Sequence, residues 1–287
     1  MLKKRLATAS VLIPLALGAI FLLPLHWFAW ITLIVLVMAA WEWSPLMGVH
    51  HIASRLLYCA IVAVLIAVTA WLTPVDQIWS AEGLAQAYLY PVIIGCIWWA
   101  VSFLLVCNYP RSHCVWVKSR AYVALIGVLI LVPAWSALMS LRALSYEADV
   151  YFGSWVLLFI FSLVWAADVG AYFSGKRFGK HKLMPEVSPN KTKEGFLGGL
   201  TLALVVMIAV ATYVEVPRDT LTAFFLVSLL TVVMSVIGDL NESMFKRCAG
   251  VKDSGSLLPG HGGLLDRIDS LTSALPVFLL GYLWLIY

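Results

Sequence analysis

Residues 219–247 read "DTLTAFFLVSLLTVVMSVIGDLNESMFKR". The first twenty of them, 219–238, are almost wholly apolar. In a helix they would cover roughly 30 Å, the thickness of a bilayer's hydrocarbon core. The stretch therefore predicts a membrane-spanning helix that runs out into a charged segment. If the helix continues, Asp239, Glu242, Ser243 and Lys246 fall at offsets of 0, 3, 4 and 7 and share one face. Taken alone, that face reads as a solvated one with a Glu242–Lys246 pair worth a few tenths of a kcal/mol.

Working outward, the whole chain repeats the apolar half of this pattern. It is 62% hydrophobic and 12% charged, with 13 tryptophans in 287 residues. With a mean hydropathy of +0.95 it lies outside the range of a soluble domain. Apolar runs of spanning length fall near 7–23, 27–41, 56–72, 89–107, 121–141, 151–167, 196–214, 219–238 and 271–286. The fold class is therefore all-α, a polytopic membrane bundle of about nine helices. Only "PLH" separates the first two runs, which leaves eight spans or a re-entrant pair as the alternative. The basic, apolar N-terminus resembles a signal peptide, but its run is long and no small-residue cleavage pattern follows "FLLPLHW", so it reads as an uncleaved span.

Orientation follows from the lysines and arginines. With a cytoplasmic N-terminus, 17 of the 19 fall in inside segments and only Arg142 and Arg218 fall outside. A missing span would scramble that split, because every later loop would change sides. The net charge of +4 follows from the same bias and calls for no nucleic-acid partner. The five cysteines are scattered without a CxxC pair, so neither a disulfide framework nor a zinc site is indicated.

Polar residues divide the chain unevenly. Residues 1–150 read as scaffold helices, whose carboxylates Glu42, Asp76, Glu82, Glu147 and Asp149 form no pattern. Residues 151–287 read as the catalytic region, with long cytoplasmic connections at 168–195 and 239–270. These hold eight of the 15 carboxylates and ten of the 19 basic residues. The first connection ends in "SPNKTKEG", 188–195, at the predicted start of the seventh span, where free backbone N–H groups favour an anion. Ser188, Asn190 and Thr192 add donors, and Lys191 and Lys193 add charge. No strand is expected before it and it is not a GxxxxGK[ST] loop, so attraction to anionic headgroups is the competing reading. Asp168 lies at membrane depth or just below the headgroups, where a carboxylate is costly unless paired or cation-bound.

The second connection contains "PGHGGLLDRIDS", 259–270. Asp266 and Asp269 are three apart, so on the helix opening the last span they point the same way, with Arg267 pointing elsewhere. With Asp239 they make a hard oxygen site suited to Mg²⁺ and phosphate ligands. The glycines of "PGHGG" permit a sharp turn and close backbone approach. Lys252, Asp253, His261 and Arg267 then crowd one loop. Phosphoryl or nucleotidyl transfer fits this set, because cations neutralise charge while the reacting oxygens are held in line. A transporter would instead place polar residues deep in several spans. Another lipid-phosphate transferase remains a rival, although the "DGxxAR" run of CDP-alcohol phosphotransferases is missing from the chain.

Residues 243–269, "SMFKRCAGVKDSGSLLPGHGGLLDRID", are similar to the signature of phosphatidate cytidylyltransferases, also called CDP-diacylglycerol synthases. The matching elements are Ser243, Lys246, Arg247, Lys252, Asp253, "HGG" at 261–263, Asp266, Arg267 and Asp269. That family's "SPxKTxEG" element appears at 188–195. The resemblance implies transfer of the cytidylyl group of CTP to phosphatidate, giving CDP-diacylglycerol and pyrophosphate. It also implies Mg²⁺ with K⁺ as a possible second cation, held by Asp239, Asp266 and Asp269, and a homodimer. On this reading Lys246, Asp266, Arg267 and Asp239 are catalytic. Ser188, Lys191, Lys193, Ser243, Arg247, Lys252, Asp253, His261 and Asp168 contact substrate, in a multi-pass protein of the inner membrane whose site faces the cytoplasm.

Overall fold

The computed structural model describes residues 2–111, 119–255, 257 and 262–286, and over 2–9 the backbone alone. Among these residues nine α-helices follow one another: α1 Leu2–Leu22, α2 Leu25–Trp43, α3 Ile52–Leu72, α4 Gln86–Cys107, α5 Arg120–Arg142, α6 Phe152–Phe178, α7 Lys193–Tyr213, α8 Arg218–Cys248 and α9 Leu265–Leu285. Each overlaps one predicted span. In hydrocarbon a helix satisfies its own backbone, which is why long apolar runs adopt it. Eight of the nine are long and apolar enough to cross a bilayer, while the part of α1 with described side chains, Ser10–Leu22, is shorter. Leu23 and Pro24 break α1 from α2, so the first two runs are separate helices.

Two features of the connections depart from the sequence reading. First, α6 has 27 residues and α8 has 31. At 1.5 Å per residue these reach about 40 and 46 Å, about two and three turns beyond a hydrocarbon core of about 30 Å. Residues 168–178 and 239–248, expected within the connections, are therefore helix. The connections shrink to 179–192 and 249–264. Second, the first connection folds as an antiparallel hairpin, β3 Lys182–Met184 and β4 Ser188–Thr192, where no strand was expected. Its strands are too short for alternation to be read, and pairing satisfies backbone groups that lie outside any helix. A smaller hairpin, β1 Trp79–Ser80 with β2 Gly83–Leu84, joins α3 to α4.

The packing does not divide at residue 150. The main apolar core extends from Ile20 to Leu279, and a smaller cluster of Leu163, Ala167, Ala203, Met207 and Val232 joins α6, α7 and α8. Its centre is α5, which buries Leu131, Trp135 and Met139 and touches α2, α3, α4, α6 and α9. Arg142 ends that helix almost fully buried, donating to the carbonyls of Ile20 at 2.8 Å, Val150 at 3.1 Å and Leu23 at 3.3 Å. It thereby satisfies carbonyls left open at the end of α1.

Small residues set the helix spacing around the functional end. Gly170 of α6 lies against Gly198 and Gly199 of α7. Gly238 of α8 lies against the Asp269 carbonyl and Ser273 of α9, and the Ser273 hydroxyl donates to Met234 O at 2.7 Å. The last turns of α8 and the first turns of α9 are thus held side by side.

Candidate active site

That side-by-side placement opens a cavity of about 420 Å³ between the ends of α6, α8 and α9. Its charged lining is Asp168, Asp239, Lys246, Asp253, Asp266, Arg267 and Asp269, and Val164, Trp165 and Leu271 supply apolar wall. Residues from both predicted connections meet here.

Along α8 the predicted face is real, but from Glu242 to Lys246 it is buried rather than solvated, with Asp239 half-buried. Ser243 donates to Asp239 Oδ1 at 3.3 Å. One turn on, the Glu242 and Lys246 side chains are only 4% and 9% exposed. Lys246 Nζ lies 2.6 Å from Asp266 Oδ1 and 3.3 Å from Glu242 Oε2. The latter contact lacks hydrogen-bond geometry, and no N–H group or hydroxyl side chain donates to either Glu242 oxygen. The Asp269 carboxyl lies against Glu242.

The turn before α9 aims Asp266. Gly262 takes φ +81°, a left-handed conformation that suits glycine, and a Cβ there would press on Asp266 Oδ2. Asp266 accepts from Gly263 N at 2.8 Å and Ser254 N at 3.1 Å, so three donors, counting Lys246, converge on it. Asp269 accepts from Ser270 N at 2.7 Å. Arg267, expected to point elsewhere, lines the same cavity as the two aspartates.

A second cavity, about 320 Å³, adjoins the first through Asp168, which lines both. Its walls are largely apolar, including Phe196, Leu200, Val232 and Val236, while Ser188, Asn190, Lys191 and Thr192 form its polar rim. Lys191 Nζ reaches Asp239 Oδ2 at 2.6 Å and so joins the hairpin to α8. Thr192 caps α7 by accepting from Gly195 N at 3.1 Å. Glu194 accepts from the backbone N–H of Lys180 at 3.0 Å and of His181 at 3.2 Å, fixing the approach to the hairpin.

Four expected substrate contacts do not line either cavity: Ser243 is buried and donates to Asp239, and the other three are cationic. Lys193 and Lys252 are exposed. Arg247 donates to the carbonyls of Val187 at 3.2 Å and Val251 at 3.3 Å, tying the hairpin and the α8–α9 loop to α8. Sequence spacing cannot separate a guanidinium that holds loops from one that holds phosphate. His261, with Pro259 and Gly260, lies outside the described residues.

The sequence reading missed Glu42. This α2 residue is 4% exposed and accepts from Leu265 N at 2.8 Å, at the start of α9. The signal available was a carboxylate between two tryptophans, "WEW", on the same membrane side as both connections.

Charge limits what the site can do. Five carboxylates and two cations line the first cavity, an excess of three negative charges. An anionic substrate enters such a place only with added cations, and the donors are hard oxygens of the kind that suit Mg²⁺. Among the described residues no three acidic, His or Cys side chains already close around one point. The arrangement fits a cation shared between one or two carboxylates and substrate phosphates rather than an all-protein cage.

The sequence profile of the cytidylyltransferase family matches residues 3–285. The chain belongs to that family. It is a nucleotidyltransferase, and the match takes in the N-terminal helices as well as the carboxylate end. The chain is 42% identical to the phosphatidate cytidylyltransferase of Haemophilus influenzae over 282 residues, 97% of each chain. It is 43% identical to that of Pseudomonas aeruginosa over 278 residues, 97% of this chain and 96% of the relative. A 124-residue segment is 50% identical to the enzyme of Staphylococcus saprophyticus, covering 42% of this chain and 46% of that one.

Proposed function

We propose that the chain transfers the cytidylyl group of CTP to phosphatidate, giving CDP-diacylglycerol and pyrophosphate, at the cytoplasmic face of the inner membrane. The observation that carries this reading is the pair of adjoining cavities, one charged and one apolar-walled, bridged by Asp168 and Lys191. The charged cavity suits a triphosphate, and the apolar one suits the glycerol end of a lipid. The 17-to-2 split of basic residues supports the orientation. Homodimer formation rests on the resemblance alone.

In the reaction a phosphatidate oxygen attacks the α-phosphorus of CTP, the new P–O bond forms, and the bond to the bridging oxygen of the leaving pyrophosphate breaks. Phosphatidate is already an anion near neutral pH, so no strong general base is required. Asp239, Asp266 and Asp269 would hold Mg²⁺, with K⁺ as a second cation. Bound there, Mg²⁺ supplies charge neutralisation and polarisation of the phosphate. Lys246, held between Asp266 and Glu242, presents a fixed positive charge to the phosphate oxygens. Arg267 adds a second, and Lys191 can exchange Asp239 for substrate phosphate.

Asp266→Asn tests this reading in purified protein with CTP and phosphatidate. Loss of one such charge-stabilising group is expected to lower kcat by about 10²- to 10³-fold. Near wild-type turnover at limiting Mg²⁺ would remove Asp266 from the metal site.

A further inference from the structure

Of the five carboxylates in residues 1–150, only Glu42 is buried. Its Oε2 accepts from Leu265 N at 2.8 Å and from the Ser254 hydroxyl at 3.4 Å. Ser254 in turn gives its backbone N–H to Asp266, and Leu265 is the residue before Asp266. One oxygen from α2 therefore grips both chain segments that aim Asp266. Glycine at 255 and 263 leaves room for this, because a Cβ at either position would collide with the Glu42 carboxyl.

The energetics ask for more than a helix cap. Leu265 opens α9, and a carboxylate near the free N–H groups there is favourable. A Ser, Thr or Asn in the loop itself would do the same without burying charge. Glu42 Oε1 is instead buried with no hydrogen-bond partner. Arg55, stacked 3.6 Å above the Trp41 ring, lies within electrostatic reach and offsets part of that cost. What the distant carboxylate adds is registration: it fixes the start of α9 against α2.

We propose that Glu42 is a positioning residue for cytidylyl transfer, setting where Asp266 stands relative to Asp239 and Lys246. The proposal rests on the reading of Asp266 given above. A displacement of about 1 Å at such a group costs on the order of 10²-fold in rate.

The test compares wild type, Glu42→Ala, Glu42→Gln and Ser254→Ala as purified full-length protein in detergent. It measures kcat, KM for CTP, the Mg²⁺ concentration for half-maximal rate, thermal unfolding, and hydrogen exchange over residues 262–270. Glu42→Ala is expected to lower kcat about 10²-fold, with KM for CTP within about threefold, a raised Mg²⁺ requirement and faster exchange at the start of α9. Glu42→Gln keeps an oxygen acceptor for Leu265 N–H and should return to within about fivefold of wild type. Ser254→Ala should lose about threefold and shift the Mg²⁺ requirement the same way.

Wild-type kcat and Mg²⁺ dependence in both Glu42→Ala and Ser254→Ala, whatever their unfolding temperatures, would overturn the proposal. Should Glu42→Ala fail to fold, Ser254→Ala decides it, with a shifted Mg²⁺ requirement supporting and wild-type values contradicting. A wild-type protein that makes no CDP-diacylglycerol overturns the reaction reading instead, and the role of Glu42 falls with it.

Discussion

The α8–α9 corner and the β3–β4 hairpin are built differently. At the α8–α9 corner, Lys246, Glu242 and Asp266 interlock with side chains under 10% exposed, and backbone N–H groups finish the aim. At the hairpin the backbone is tied down by Glu194 and Arg247, but the side chains are looser: Lys191 is 28% exposed and Lys193 is fully on the surface. The difference teaches a division of labour. On the proposed reading, the preorganised corner would act on the transition state and the adjustable rim on capture of substrate.

Mutations can break that comparison, beginning with Asp266→Asn and its expected 10²- to 10³-fold fall in kcat. Lys246→Met comes next, because it removes the cation that Glu242 and Asp266 share. It should lower stability by about 3 kcal/mol, read by thermal unfolding, along with most of the activity. An unchanged unfolding temperature would mean that the interlock contributes little. Gly238→Ala is a smaller perturbation: its Cβ meets Ser273 and the Asp269 carbonyl, and prising α8 from α9 should cost about 1–3 kcal/mol. Activity loss out of proportion to stability would sharpen the claim that this contact sets the corner.

At the rim, Lys191→Gln should raise KM for CTP or phosphatidate by about tenfold with kcat nearly kept, since uniform binding is lost. Lys193→Gln should change either constant by less than about threefold. Steady-state kinetics that place the Lys191 effect in kcat alone would move that residue into the preorganised corner.

How much of this was legible in the sequence depended on range. The nine helices were, eight of them long and apolar enough to cross a bilayer, because a membrane helix declares itself within about 20 residues. So was the face carrying Asp239, Glu242 and Lys246, which is a local helical period. Whether that face was solvated or buried was not, because burial came from α9. The extension of α6 was hidden because its last turn is charged, and hydropathy stops at charge. The role of Arg247 depended on a hairpin of five residues or fewer per strand, too short for a period to appear. Glu42 was least legible of all, since its partner Leu265 is 223 residues away in sequence.

The central claim is that a cytidylyl group, and not a phosphoryl group, moves to lipid at the α8–α9 corner. CTP labelled at the α-phosphate in one reaction and at the γ-phosphate in another, each given to purified protein with phosphatidate and Mg²⁺, tests it directly. The account predicts that α-label enters the lipid and γ-label leaves as pyrophosphate, with both transfers lost in Asp266→Asn. Lipid that carries γ-label, or α-label incorporation undiminished in Asp266→Asn, would contradict it.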